Sequence, residues 1–131
     1  MEGMQARGYE PGRCNIGPAE IRARRLSGHV GLAATIGVVA ALILFGADPA
    51  WRLLAFIPAA GGAGGYLQAA MRFCANFGWR GVFNFTDRIH DTTEVTDAAA
   101  AAADRRKALL IMVLSALTGL VVAVGAYLLP I

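Results

Sequence analysis

The fold is decided by residues 51–85, which read WRLLAFIPAAGGAGGYLQAAMRFCANFGWRGVFNF. The first part of this stretch, residues 53–71, is apolar and contains no charged side chain. Such a run is long enough to cross a bilayer, which takes roughly 20 residues. The second part combines aromatic side chains with Arg72, Arg80 and Asn76, a composition typical of a membrane–water boundary. The stretch therefore predicts a helix that crosses the membrane and leaves it through an aromatic exit.

Two further apolar segments flank this stretch. One runs from about residue 29 to residue 47 and the other from residue 108 to residue 129, and neither contains Asp, Glu, Lys or Arg. Three such runs in 131 residues, of which 56% are hydrophobic, are rare in a soluble domain of this length. The sequence therefore predicts an all-α integral membrane protein with three transmembrane helices, a hairpin followed by one long helix.

The predicted organisation has four parts. Residues 1–13 carry several Gly and Pro and predict a flexible cytoplasmic tail. Residues 14–85 form the transmembrane hairpin, which begins with a short interfacial helix because Pro18 and Glu20 suit a first helical turn. Residues 86–97 are a polar cytoplasmic linker. Residues 98–131 contain no helix breaker before Pro130, so they predict one helix of about 30 residues, capped by Thr96 or Asp97 and ending in the third span.

Small residues recur at helical spacing in all three predicted spans. In lipid, small side chains allow two helix backbones to approach closely. The predicted helix-packing residues are Ala33, Gly37, Ala41, Gly61, Gly65, Ser115 and Gly119. Gly61 and Gly65 form a GxxxG pair, and packing within the chain and packing between copies both remain open for it. Pro58 predicts a bend near the outer end of the second span.

Basic residues mark one side of the predicted spans. All lysine and arginine residues except Arg52 precede the first span or lie between the second and third spans. Loops rich in these residues stay cytoplasmic, so the sequence predicts a bacterial cytoplasmic (inner) membrane protein with its N-terminus inside and its C-terminus outside.

The formal net charge is only +3, and no basic cluster is interleaved with aromatics outside the boundary segment. Nucleic acid is therefore not expected as a partner.

Two short motifs flank the predicted hairpin. The residues before the first span are Asn15, Ile16, Gly17, Glu20, Arg24 and Gly28, and those after the second span are Phe73, Cys74, Phe77 and Gly81. In these residues and their spacing, residues 14–84 resemble the YgaP-like transmembrane hairpin family of bacteria. Ile21 and Ala75 stand where that family commonly has Arg and Pro, and the third span lies outside its pattern.

The resemblance implies a two-helix membrane module that tends to self-associate and serves as an anchor or accessory. Some members of the family also carry a rhodanese domain, which handles sulfane sulfur at its own cysteine. The motifs quoted above do not belong to that domain, so its activity is not carried over to this chain.

Cys14 and Cys74 are the residues most open to chemistry. The predicted topology places both at the cytoplasmic face, and the nearby Arg72 and Arg80 would favour the reactive thiolate. With His90 or His29 the pair would also supply a Cys₂His set of metal ligands. However, the sequence contains no CxxC or CxxH spacing, and free cysteine is often a small buried hydrophobe. Structural packing, redox or persulfide chemistry and metal binding therefore all remain open for this thiol pair.

Aromatic residues near the predicted boundaries are expected to anchor the protein in the interface. They are Trp51, Phe73, Phe77, Trp79 and Phe83. A pocket for a quinone or another cofactor is the alternative interpretation of this group.

The spans carry no internal acid or base, which argues against a pump or transporter. An oligomeric pore lined by glycine and Gln68 stays open as a further alternative.

The sequence thus contains no catalytic constellation and predicts a protein that is not an enzyme. We expect a scaffold, anchor or accessory subunit whose partners are the lipid bilayer and either copies of itself or a larger membrane complex. The alternative is an accessory in thiol or sulfur handling at the cytoplasmic face, using Cys14 and Cys74. No metal or other cofactor is expected.

Overall fold

The computed structural model describes residues 8–131, and residues 1–7 of the predicted tail lie outside that part of the chain. The described chain is mostly helical, as predicted. Its elements, in order, are α1 (Pro18–Leu44), a 3-10 helix (Pro49–Ala55), α2 (Phe56–Met71), α3 (Ala75–Arg80), β1 (Val82–Phe83), β2 (Thr93–Glu94) and α4 (Ala98–Leu128). β1 and β2 pair antiparallel, with Val82 opposite Glu94.

The three long helices run alternately up and down. Gly28 and Gly31 of α1 lie against Gly65 and Gly62 of α2, so residue numbers rise along one helix as they fall along the other. Ser115 and Gly119 of α4 lie against Gly64 and Ala60 of α2 in the same antiparallel order. The start of α1, the end of α2 and the start of α4 therefore meet at one end. We call this the polar end, and it comprises residues 8–25 and 72–107.

Helix α1 is one continuous helix of 27 residues. The separate short interfacial helix predicted before the first span is therefore wrong. The physical reason is that Ser27 and Gly28 do not interrupt the backbone hydrogen bonds. Gly28 is instead buried against the ring of Tyr66, where an added Cβ would lie 2.6 Å from the nearest ring atom. His29 beside it forms a hydrogen bond of 2.7 Å with the Tyr66 hydroxyl, which joins α1 to α2.

The second predicted span is divided between two kinds of helix. Pro58 lies in the first turn of α2, and its ring and missing N–H prevent an α-helix from extending upstream. Residues 49–55 therefore form a 3-10 helix, whose first turn is capped by the Asp48 side chain. The predicted bend at Pro58 is thus replaced by a helix start. Helix α2 alone has 16 residues, which span about 24 Å at 1.5 Å per residue.

Helix α4 confirms the prediction of one long helix with a side-chain cap. It has 31 residues, and the Asp97 carboxylate accepts a hydrogen bond of 2.9 Å from the Ala100 N–H. At its other end Arg52 is only 3% exposed and donates to the carbonyls of Ala126 (3.1 Å) and Leu129 (3.2 Å). A guanidinium at a helix C-terminus satisfies carbonyls that lack partners within the helix. Arg52 therefore fastens the 3-10 helix to the end of α4.

The closest contacts between the long helices are made by backbone and small residues. A Cβ added at Gly31 would lie 2.4 Å from Gly62 Cα, and one at Gly65 would lie 2.6 Å from the Gly28 N–H nitrogen. A Cβ added at Gly119 would lie 2.8 Å from Ala60 Cβ. These distances are too short for any real side chain, so only glycine fits at these crossings.

Some of the predicted packing residues face away from these contacts. Ala33 and Gly37 lie on the exposed side of α1, and Ala41 is partly buried. An added Cβ at Gly37 or Gly61 would meet open space. Gly65, Gly119 and Ser115 do lie between helices, and Ser115 Oγ would be 3.2 Å from a Cβ at Gly64. The two glycines of the predicted GxxxG pair therefore differ, because Gly65 contacts α1 and Gly61 faces away from the other helices.

Helices α1 and α4 are each long and apolar enough to cross a membrane, by length and composition. Only 11% of the most apolar stretch of α1 and 22% of that of α4 are buried within the chain. The core helix of a soluble protein would instead be mostly buried. Large side chains such as Ile36 (61% exposed) and Val121 (71% exposed) point away from the other helices.

We expect alanine to have opposite effects at Gly65 and Gly61. In a detergent that keeps single chains apart, Gly61→Ala should raise the thermal stability slightly, because alanine is favoured over glycine in a helix by about 1 kcal/mol and the site is open within the chain. Gly65→Ala should lower the free energy of unfolding by about 1–3 kcal/mol, because the new methyl group overlaps the backbone of α1. Circular dichroism during heating measures both. Equal shifts for the two variants would contradict the close contact at Gly65.

Candidate functional site

The candidate site is a buried polar cluster where α1 begins. Glu20 lies in the first turn of α1, and its side chain is fully buried. Its carboxylate forms an ion pair of 2.9 Å with Arg24, one turn further along the helix. It also accepts hydrogen bonds from the side-chain amide of Asn84 (3.3 Å) and from the backbone N–H of His90. Without these partners a carboxylate this deeply buried would be strongly destabilising.

Arg24 connects this carboxylate to the chain that follows α2. Its Nη2 donates to the sulfur of Cys74 at 3.0 Å. Its guanidinium carbon lies 5.5 Å from the centre of the Phe77 ring, within the range of a cation–π interaction. The side chain is only 14% exposed. One arginine therefore holds an acid of its own helix, a thiol and an aromatic ring of α3 together.

Asn15 ties the segment before α1 to the same region. Its side-chain oxygen accepts from the Cys74 N–H at 2.7 Å, and its Nδ2 donates to the Cys74 carbonyl at 3.1 Å. Its backbone N–H donates to the Arg72 carbonyl, and its carbonyl accepts from the Asn84 N–H. A primary amide suits this position because it offers an acceptor to the N–H and a donor to the carbonyl of the same residue.

A second buried acid holds the chain that precedes Asn15. Asp104 of α4 is fully buried and accepts from the Tyr9 hydroxyl at 2.6 Å and from the Gly12 N–H at 2.7 Å. The Tyr9 ring stacks on Phe83 with 4.7 Å between ring centres. Burial and the hydrogen bond to Asp104 raise the pKa of Tyr9, so the hydroxyl keeps its proton and remains a donor. Residues 8–13, predicted as part of the flexible tail, are thus fixed to α4.

Three of the five predicted interfacial anchors are wrong. Phe73 and Phe77 are 0% exposed, and Phe83 is 5% exposed, because the folded polar end covers them with protein. Phe77 packs with Ile16, Cys74 and Val82, and Phe73 packs with Ala108 and Ile111 of α4. They form the core of the polar end and cannot contact lipid.

Trp51 and Trp79 keep exposed rings, 58% and 51% respectively. The Trp79 ring lies 5.9 Å from the guanidinium carbon of Arg105. These two tryptophans remain compatible with the predicted role as interfacial anchors.

Both cysteines lie at the polar end, in different surroundings. Cys74 is 2% exposed and contacts Arg24, as described above. Cys14 is half-buried, borders an open cleft and lies 3.8 Å from the Ile16 carbonyl oxygen. Burial raises the pKa of the Cys14 thiol, although the positive charge of Arg72 acts in the opposite direction. Cys14 is therefore protonated at neutral pH, which disfavours nucleophilic chemistry at this sulfur.

The cluster is arranged to hold elements together. Glu20 uses its oxygens on Arg24, Asn84 and His90, and it has no accessible surface. Within residues 8–131, no three His, Cys, Asp or Glu side chains are grouped so that they could hold a metal ion. What the arrangement does physically is to join α1, α3 and residues 84–90 through buried polar bonds.

The cluster explains part of the sequence motifs. Asn15, Glu20, Arg24, Cys74 and Phe77 are all motif residues, and the structure brings them into contact. The motifs did not reveal the role of Asn84 or the hydrogen bond that the Tyr9 hydroxyl donates to Asp104. A helical pattern could have revealed Asp104, because it shares one face of α4 with the buried Ala100, Ala108 and Ile111.

Comparison with known proteins identifies no relative. No protein-family model matches the chain, and no characterised protein or solved structure matches it either.

The surroundings of Cys14 predict the pH dependence of its alkylation. In a Cys74→Ser variant, Cys14 should react with a maleimide at a rate whose midpoint lies above the ordinary thiol value of roughly pH 8.5, because burial favours the protonated form. The same variant unfolded in denaturant is the control and should titrate at the ordinary value. A midpoint below the control would show that nearby arginines outweigh burial and would contradict this account.

Proposed function

We propose that this protein is a non-enzymatic integral membrane protein that acts as a scaffold, anchor or accessory subunit. In this proposal it packs against copies of itself or against a larger membrane complex. The observation that carries the proposal is the exposed apolar surface of α1 and α4, whose most apolar stretches are almost unburied within the chain. Apolar surface of this extent is stable only against lipid or another apolar surface.

The distribution of charge supports membrane insertion with three spans. Residues 29–47, 53–71 and 108–131 contain no Asp, Glu, Lys or Arg. The 3-10 helix and α2 together would supply the middle span. All lysines and arginines except Arg52 lie in the tail or at the polar end. By the positive-inside rule this end lies in the cytoplasm and the C-terminus lies outside, as in a bacterial inner membrane.

Self-association is supported by the small residues that face outward. Gly37 of α1 and Gly61 of α2 leave open space where a side chain would be, and Ala33 is exposed beside Gly37. In lipid such positions let a second helix approach to backbone contact. The resemblance to YgaP-like transmembrane hairpins agrees with this role, because such modules tend to self-associate and to serve as anchors.

Native mass spectrometry in a mild detergent tests this function. The parent protein should be an oligomer or carry a stoichiometric protein partner. A Gly37→Leu, Gly61→Leu variant should lose that mass, because the branched side chains fill the open positions on the outside of the helices. A Val38→Leu, Val124→Leu variant changes exposed apolar residues of similar size and should keep the parent mass. A monomeric parent, or a glycine variant with the parent mass, would contradict the proposal.

A second candidate function is thiol or sulfur handling at the same end. It is favoured by the contact of 3.0 Å between Arg24 Nη2 and Cys74 Sγ, which places the positively charged guanidinium beside the sulfur. If this candidate is correct, polysulfide added to the folded protein should add sulfur to Cys74 in a Cys14→Ser variant. Intact mass spectrometry detects the adduct. Modification only after unfolding would exclude the candidate and leave the Arg24–Cys74 contact as a packing interaction.

A further inference from the structure

An open cleft lies beside the start of α1, separate from the buried polar cluster. It encloses about 670 Å³ between the segment before α1, the first turns of α1 and the end of α2. Its lining includes Cys14, Gly17, Ile21, Ala69 and Ala70. The end of α2 contributes to the lining, so the cleft lies at the border between the polar end and the apolar part of α2.

The cleft carries three positive charges and no described negative one. Arg22 and Arg25 come from α1, and Arg72 follows α2. None of the described residues that line the cleft is Asp or Glu. Arg24 differs, because it turns into the protein and pairs with Glu20. Three guanidiniums that share one cavity without a described carboxylate favour binding of an anion.

Arg72 occupies a backbone conformation that disfavours a side chain. Its φ of 54° is left-handed, and glycine is the usual residue at this position after a helix. The conformation is held by hydrogen bonds from the Phe73 N–H to the Gln68 carbonyl and from the Asn15 N–H to the Arg72 carbonyl. The left-handed turn at the end of α2 places Arg72 in the lining of the cleft, where its guanidinium adds to the positive charge of Arg22 and Arg25.

The start of α1 adds to the same potential. Gly17 is the N-cap residue and lines the cleft together with Pro18, and no side chain caps the first turn. The acid of this turn, Glu20, is paired with Arg24 and does not line the cleft, so it offsets the positive end of the helix dipole only in part at the cleft wall. The guanidiniums and the helix dipole both favour a bound anion. One planar guanidinium can donate two parallel hydrogen bonds to two oxygens of a phosphate.

We propose that the cleft lined by Arg22, Arg25 and Arg72 binds a phosphate group. The apolar wall of Ile21, Ala69 and Ala70 beside the arginines fits a phosphate that is attached to acyl chains, as in an anionic phospholipid. A free phosphate anion has the same recognition chemistry. The phosphate site stands without membrane insertion, whereas a lipid source rests on the proposed function.

Binding assays in an uncharged detergent distinguish the two sources. Short-chain phosphatidylglycerol, inorganic phosphate and a short-chain diacylglycerol that lacks phosphate are added separately. Thermal stability and native mass spectrometry are the readouts. We expect phosphatidylglycerol to bind and to raise the melting temperature, and the phosphate-free lipid to do neither. Binding of inorganic phosphate alone would support the site and assign its source to the free anion.

Matched variants locate the binding. An Arg22→Gln, Arg25→Gln, Arg72→Gly variant removes the three cleft charges, and glycine at position 72 relieves the left-handed backbone. Binding should weaken roughly tenfold for each guanidinium removed. An Arg80→Gln, Arg88→Gln, Arg106→Gln variant loses the same charge from exposed arginines outside the cleft and should bind as the parent does.

Three results would overturn the site. They are equal weakening in both variants, binding of the phosphate-free lipid as tightly as phosphatidylglycerol, and binding in none of the three arms. Each is independent of the oligomeric mass that tests the proposed function, because the assay needs neither self-association nor a membrane.

Discussion

The structure depends on the buried ion pair between Glu20 and Arg24. Both residues lie on the first turns of α1, yet their remaining bonds go to other parts of the chain. Glu20 reaches Asn84 and His90, and Arg24 reaches Cys74 and Phe77. A charge in such a position is tolerated only when its partner is present, since removing one member of a buried pair typically costs about 3–5 kcal/mol. The pair therefore fixes where α3 and residues 84–90 lie relative to α1.

The two halves of the molecule are held together by different forces. At the polar end, buried side chains form bonds across long sequence separations, as Asn15 does with Cys74 and Tyr9 with Asp104. Along the helices, glycine allows backbones to touch, and many large apolar side chains, such as Ile36 and Val121, face outward. A polar end of this kind sets the register of the helices, because a shift of one turn would separate Arg24 from Cys74. The glycine contacts can then be made without any charge in the apolar stretches.

The sequence predicted those features that depend on local signals. Helix α4 and its Asp97 cap follow from a breaker-free run after a capping residue, and three apolar segments follow from composition. The division of the second segment was missed, because Pro58 was expected to bend a helix and instead lies in the first turn of one. In a segment this rich in glycine, periodicity does not reveal which glycine faces inward, so Gly61 and Gly65 could not be told apart.

Long-range partners account for the remaining differences. Phe73, Phe77 and Phe83 have the composition of a membrane boundary. In the folded chain, α4 covers Phe73, and residues 8–17 and 84–90 pack against Phe77 and Phe83. The sequence placed Cys14 and Cys74 at one end of the molecule, where both lie, but it did not show that Arg24 would contact only the second. Such pairings depend on how helices are rotated and capped, which no short motif records.

A double-mutant cycle on Glu20 and Arg24 tests the central claim most directly. Glu20→Gln, Arg24→Gln and the double variant are unfolded by heat in the same detergent, with Glu94→Gln as an exposed control. The account predicts that each single variant loses about 3–5 kcal/mol and that the double variant loses clearly less than the sum, because the two charges stabilise each other. The account would be contradicted by single variants whose free energy of unfolding lies within about 0.5 kcal/mol of that of the Glu94→Gln control.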